Sequence, residues 1–282
     1  MRQFCDLHTH SQFSDGTDTP EQLLELAEQA GLCAIALTDH NTAGGLPAFL
    51  EAARGREICA IPGTEFSSDY NGIELHILGL FLAPEQFDAV NAMTEEYHRR
   101  KDQSNIELVR RLNEAGYAID YARIKSATPE GLVNRALIGA ELTRLGYTES
   151  VQDAFARLLK PKHGYYIPPK RESAFDVIRF IKSIGAVAVL AHPFLNLDEQ
   201  QLRIFLDEAV KCGLDGMETM YSTYDEQTQA LSEKIAQEYG LLPSGGSDHH
   251  GGNKPHIKLG VGQGNLRIPE AYYKALQERA EK

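Results

Sequence analysis

The feature that most constrains this chain is a repeated pairing: an apolar run of strand length ends in histidine or carboxylate, and a helical segment follows. D-L-H-T-H closes the first run at residues 6–10, C-A-I-A-L-T-D-H the second at 33–40, and I-C-A-I-P-G-T-E-F the third at 58–66. Between the first two, Thr19, Pro20 and Gln22 form a helix start with a capping box, and Gly31 ends the segment. A second helix is expected over about 43–54, and I-E-L-H-I-L-G-L-F at 73–81 reads as a fourth strand. Alternating β and α units favour a parallel sheet or barrel with helices outside, and chemistry collects at the C-terminal strand ends. Side chains alternate along a strand, so His8 and His10 leave one face together and can meet one metal ion.

From residue 84 the rhythm changes. Residues 84 to about 165 are charged and helical, with Ile106, Leu108, Val109 and Leu112 as a core stripe, and no strand signal interrupts them. Strands are expected again at A-V-A-V-L-A-H-P (186–193), D-G-M-E-T-M-Y (215–221) and L-L-P-S-G-G-S-D-H-H (241–250), with helices at 173–184, 198–212 and 225–239. The expected organisation is a parallel α/β sheet or barrel in two parts, 1–83 and 171–282, around a helical insertion at 84–170.

A formal net charge of −12 argues against a broad nucleic-acid binder, although bound divalent ions would reverse the local sign for a phosphate-bearing substrate. Four widely spaced cysteines form no C-x-x-C pair, and Cys5, Cys33 and Cys59 each adjoin an apolar run, so buried thiols are expected rather than disulfides. No stretch reaches the roughly 20 apolar residues of a membrane span. The first residues lack the apolar core of a signal peptide, and a cytoplasmic protein is expected.

Ten histidines are present, and their placement carries most of the information. His8, His10, His40, His192, His249 and His250 fall at or just past strand ends, His76 lies inside a strand, and Asp15, Glu65 and Asp248 join the same class. Imidazole and carboxylate sets of this kind hold first-row divalent metals. The motifs H-T-H (8–10), S-D-G (14–16), T-D-H-N (38–41), P-G-T-E-F (62–66), L-H-I-L-G (75–79), L-A-H-P (190–193) and S-D-H-H (247–250) resemble, in this order, those of the PHP (polymerase and histidinol phosphatase) family. The similarity spans nearly the whole chain and is greatest to the small metal-dependent phosphoesterases, including nucleoside 3′,5′-bisphosphate phosphatases and 5′→3′ exoribonucleases.

The resemblance implies a distorted (β/α)7 barrel, like a TIM barrel, with two or three divalent ions such as manganese, zinc or iron. It implies that His8, His10, Glu65 and Asp248 hold one ion, that Glu65, His76 and His192 hold a second, and that Asp15, His40 and His250 hold a third. Asp39 would orient a neighbouring ligand. N-R-A-L-I-G-A-E-L-T-R-L-G-Y (134–147) is similar to a family segment G-R-P-H-I-A…G-Y, which puts Arg135 in the arginine position and Asn134, Ala136 and Leu137 where the family has Gly, Pro and His. The insertion would be a lid, with Arg135, Lys162, Lys170 and Arg171 as substrate-binding cations. The implied reaction is hydrolysis of a phosphomonoester of a small metabolite, foremost a nucleoside 3′,5′-bisphosphate, by a metal-bound hydroxide. Asp248 is the candidate proton acceptor, His192 or His250 the proton donor to the leaving oxygen, and Arg135 a stabiliser of the phosphoryl group. Alternatives are exonucleolytic trimming of short 5′-phosphorylated RNA, histidinol-phosphate phosphatase, an amidohydrolase, and a metal-stabilised barrel that binds a ligand without turnover. No membrane or stable protein partner is implied.

Overall fold

The computed structural model describes residues 3–127 and 133–282 of the chain. In chain order the elements are β1 (Cys5–Thr9), α1 (Pro20–Gln29), β2 (Ala34–Leu37), α2 (Leu46–Ala52), β3 (Cys59–Tyr70), β4 (Ile73–Leu80), α3 (Phe87–Glu114), α4 (Tyr121–Ser126), α5 (Arg135–Arg144) and α6 (Val151–Ala154). They continue with β5 (Glu172–Ser173), α7 (Ala174–Ser183), β6 (Val187–Leu190), α8 (Glu199–Ala209), β7 (Gly216–Tyr221), α9 (Glu226–Glu238), β8 (Leu242–Gly246) and α10 (Glu270–Ala280). Two compact units result, residues 1–91 with 172–282, and residues 92–171.

In the first unit the strands run β1-β2-β3-β4-β6-β7-β8, with the short β5 beside β3. The two path ends meet again where Asp248 N–H donates to the His8 carbonyl at 2.9 Å and His10 N–H to the His249 carbonyl at 3.0 Å. The sheet is thus a nearly closed barrel of seven strands with helices around it. It departs from the expected all-parallel pattern at β4, which pairs antiparallel with both β3 and β6. The cause is local: Asn71 and Gly72, between β3 and β4, both take positive φ, 53° and 82°, as a two-residue hairpin turn demands.

The lower barrel interior is apolar. Cys5, Leu7, Ala34, Ala36, Ile61, Leu78, Leu80, Val187 and Val189 are buried in one cluster with Leu276 of α10, a helix that the sequence reading did not anticipate. Thr19 caps α1 through the expected capping box, accepting from Gln22 N–H at 3.1 Å. The expected strand ends at 33–40 and 58–66 become β2 and β3, and the polar residues after each apolar stretch lie at the top of the barrel.

The second unit has its own core of Leu108, Val109, Leu112, Ile124, Ile138, Leu142, Leu158 and Leu159. Ile106 does not belong to it: its side chain is 48% exposed, and Asn105, buried and bonded to the Val133 carbonyl at 2.9 Å, takes the inward position. Asn134 caps α5 by accepting from Leu137 N–H at 2.9 Å. Residues 128–132 of the helical stretch expected from 84 to about 165, and residues 1–2 of the expected first barrel part, lie outside the described residues. All four cysteines are free; Cys5 and Cys212 are buried, while Cys33 and Cys59 are only partly so. Among the described residues no helix is long and apolar enough to cross a membrane.

Candidate metal centre

Glu65, fully buried near the end of the inward-facing stretch of β3, is the hub of the site. Its Oε1 lies 2.8 Å from His76 Nδ1 and 3.0 Å from His192 Nε2. Its Oε2 lies 3.2 Å from His8 Nε2, 3.2 Å from His10 Nε2 and 3.0 Å from His40 Nδ1. Asp248 Oδ1 stands 3.2 Å from His10 Nε2 and 3.7 Å from His8 Nε2. Asp15 Oδ1 stands 3.1 Å from His250 Nε2 and 3.9 Å from His40 Nε2.

All nine residues anticipated as ligands therefore meet at one end of the barrel. Donor atoms of His8, His10 and Glu65 fall within 4.8 Å of one another, as do those of His10, Asp15, His40 and His250, and those of His40, Glu65 and His76. The grouping differs from the implied one: Asp248 and His192 fall in none of these three sets, His10 also joins the Asp15 set, and His40 joins the set of Glu65 and His76. The donor chemistry fits divalent cations. His10 Nδ1 and Glu65 Oε2 are buried without a hydrogen-bond partner, although three imidazole nitrogens stand within 3.2 Å of that oxygen. Atoms this close that do not hydrogen-bond are arranged for a shared cation rather than for one another.

The charges are mutually compensating. Burial would raise the Glu65 carboxyl, but the neighbouring His40, His76 and His8 outweigh it and hold the group well below its ordinary value. Burial alone would lower His76; the adjoining Glu65 carboxylate overrides it and carries the imidazole to about 10. At His40 burial prevails over Glu65 and Asp15, and its pKa falls to about 3.

Backbone geometry at the site is unusual. His192 and Asp248 both take positive φ, 30° and 56°, and so does Asn41 after His40, at 54°. Such conformations are costly for non-glycine residues and concentrate where surrounding contacts over-determine them. The contacts are visible: Asn41 Oδ1 accepts from Ser67 N–H at 2.9 Å, and buried Asp6 accepts from Ser247 N–H at 2.9 Å and Gly260 N–H at 2.7 Å. At Gly246 a β-carbon would stand 2.1 Å from that of His8, so only glycine lets β8 pass.

Three residues of the site were missed in the sequence. Glu218 on β7 is fully buried and accepts from His8 Nδ1–H at 3.0 Å and from His192 N–H at 2.7 Å. Tyr221 O–H and Lys254 Nζ each donate to Asp248 Oδ2 at 2.7 Å. Asp39, expected to orient a neighbouring ligand, accepts from Ser11 N–H at 2.8 Å and from the Ser11 and Ser14 hydroxyls at 2.6 Å each, in the loop that leads to Asp15. His249 is a latch, bonded to the Ile257 carbonyl and to Asp18 Oδ2 at 2.9 Å each.

The expected substrate cations belong to the second unit. Arg135 opens α5 with its guanidinium 4.2 Å over the Tyr166 ring and 5.5 Å from that of Phe155, donating to the Leu159 carbonyl at 3.2 Å. Lys162 and Lys170 are exposed, and Arg171 is half-buried.

Comparison with known proteins agrees with this geometry. The PHP domain family matches residues 6–167. A phosphoribosyl 1,2-cyclic phosphate 1,2-diphosphodiesterase of Eggerthella lenta is 34% identical, across 91% of this chain and 98% of the relative. A 5′-3′ exoribonuclease of Haemophilus influenzae is 29% identical, covering 89% and 91%. A 3′,5′-nucleoside bisphosphate phosphatase of Chromobacterium violaceum is 27% identical, covering 87% and 86%. The crystal structure of a Bifidobacterium adolescentis protein assigned as a metal-dependent phosphoesterase superposes with a TM-score of 0.86 at 29% identity, over 98% of this chain and 96% of that one. With the ligand-type residues converging on Glu65 and the family matched over more than half its length, the chain belongs to the PHP family and is a metal-dependent phosphoric ester hydrolase.

Proposed function

We propose that the protein hydrolyses phosphoric esters of a small ribose compound bearing two phosphate groups: one hydrolysis frees phosphate from a nucleoside 3′,5′-bisphosphate, whereas phosphoribosyl 1,2-cyclic phosphate requires two, ring opening and then cleavage of the remaining monoester. The observation that carries the reaction is the Glu65 carboxylate shared by five imidazoles, a donor set suited to two or three divalent ions. Support for the substrate class comes from the three relatives described above, a phosphoribosyl cyclic phosphate diphosphodiesterase, an exoribonuclease and a nucleoside bisphosphate phosphatase. The relative matched over 98% of its length acts on a small molecule, which favours a metabolite over a polynucleotide.

We assign His8, His10, Glu65 and Asp248 to one ion, Glu65, His76 and His192 to a second, and Asp15, His40 and His250 to a third. Such ions supply Lewis acidity toward phosphoryl oxygens and lower the pKa of water. Asp248 Oδ2 is committed to Tyr221 and Lys254, so Oδ1 is the atom that would accept a proton. His250 has both ring nitrogens engaged, Nδ1 with the Asp248 carbonyl at 2.8 Å and Nε2 with Asp15. His192 turns only Nε2 on Glu65, which favours it as the donor to the leaving oxygen. Arg135 is assigned to a substrate phosphate on its match to the family segment, with Lys162, Lys170 and Arg171 as further candidates. The four free cysteines suit the reducing cytoplasm.

The test is phosphate release by manganese-loaded protein from adenosine 3′,5′-bisphosphate, phosphoribosyl 1,2-cyclic phosphate, histidinol phosphate and a short 5′-phosphorylated RNA. Release from either of the first two, and not from the others, is the expected result. Turnover of the RNA alone would transfer the protein to the exonucleases, and turnover of histidinol phosphate alone would refute the ribose assignment.

A further inference from the structure

β7 supplies none of the nine ligand-type residues, yet two of its side chains reach three of them. The register of β7 against β8 explains how. Glu218 pairs with Ser244 and Tyr221 with Gly246, and the pairing slips between Glu218 and Met220, so Thr219 is an extra residue. In a regular strand, residues three apart point to opposite faces. Ser244 and Gly246 share a face, so the slip turns both Glu218 and Tyr221 into the barrel.

We propose that this bulge is a positioning device for the metal centre, with Glu218 as its principal residue. Glu218 Oε1 takes the His8 Nδ1 proton at 3.0 Å, which leaves the His8 Nε2 lone pair facing Glu65. Glu218 Oε2 takes the His192 backbone N–H at 2.7 Å and so pins that residue in its left-handed conformation. One carboxylate thereby sets the tautomer of one ligand and the backbone of another, in two different proposed ion sites. Tyr221, through its hydroxyl on Asp248 Oδ2, holds the free oxygen of that carboxylate toward His10. Carboxylates that orient ligating histidines change metal affinity by roughly 10- to 100-fold when removed. A glutamine at 218 keeps the shape but cannot accept both hydrogen bonds, since one of its two ends is a donor.

The proposal rests on the metal-holding role of His8, His192 and Asp248, and not on the identity of the substrate. Its test is a cobalt(II) titration of metal-free full-length wild type, Glu218→Gln and Tyr221→Phe, read by d–d absorption and by ions bound per chain, with circular dichroism as the check on folding. Glu218→Gln is expected to fold, to bind cobalt about 10- to 100-fold more weakly, and to show a changed band. Tyr221→Phe, which leaves both histidines held, is expected to lose less affinity. A Glu218→Gln protein with wild-type affinity and spectrum would overturn the proposal. Should that variant fail to fold, Tyr221→Phe decides: an unchanged titration there would remove the bulge from the metal centre. Wild type that takes up no cobalt, manganese or zinc would refute the metal assignment itself.

Discussion

Asp248 combines three roles in one side chain: a φ of 56°, an Oδ1 facing His10 and His8, and an Oδ2 held by Tyr221 and Lys254. Burial would raise its carboxyl, but His250 and Lys254 outweigh that and hold it well below the ordinary carboxylate value. Asparagine tolerates the left-handed region and can still accept from Tyr221. Asp248→Asn should therefore fold with an unchanged circular dichroism spectrum and lose about 10²- to 10⁴-fold in phosphate release, as expected when a charged ligand and proton acceptor becomes a neutral amide. A wild-type rate in this variant would exclude Asp248 from the chemistry. The nine ligand-type residues were legible in the sequence because eight of them terminate or follow an apolar run and His76 falls in a strongly patterned strand. Glu218, Tyr221 and Lys254 were not. The facing of the first two depends on a register slip that alternation cannot reveal, and Lys254 reaches Asp248 by the path of a loop.

Among the elements, the antiparallel β4 carried a readable signal that went unused. Asn71-Gly72 between two alternating runs is a short-range hairpin mark, and it sets an antiparallel pair where a parallel arrangement was expected. α10 was harder to see, because Tyr272, Tyr273 and Leu276 are few apolar residues among many charges. Its weight comes from tertiary packing: Leu276 is fully buried in the barrel-interior cluster with Cys5, Leu7 and Val187. Leu276→Ala should cost about 2–5 kcal/mol, the range for truncating a buried leucine. Urea unfolding monitored by circular dichroism checks it; a loss below about 1 kcal/mol would mean that the helix is peripheral to the core.

At the scale of the molecule, two separate cores and one cluster of ligand-type residues make a specific forecast for metal removal. The nine ligand-type residues lie within residues 1–91 and 172–282, whereas the core built on Leu108, Leu112, Ile138 and Leu142 lies within 92–171. Ions bind the folded barrel and not the unfolded chain, so at 100 times the dissociation constant each independent site adds about 2.7 kcal/mol. For a unit of this size that corresponds to roughly 5–10 °C in Tm per site. Chelation should lower the melting temperature by at least that much. Hydrogen exchange should then lose protection in β1, β3, β6 and β8, which carry or adjoin the ligands, while α5 keeps its own. Equal loss of protection in α5 would show that the two cores open together. Unchanged protection throughout would show that the cluster contributes nothing to the stability of the fold that holds it, and that hydrogen bonds such as those of Asp6, Asp39 and Glu218 organise its residues without ions.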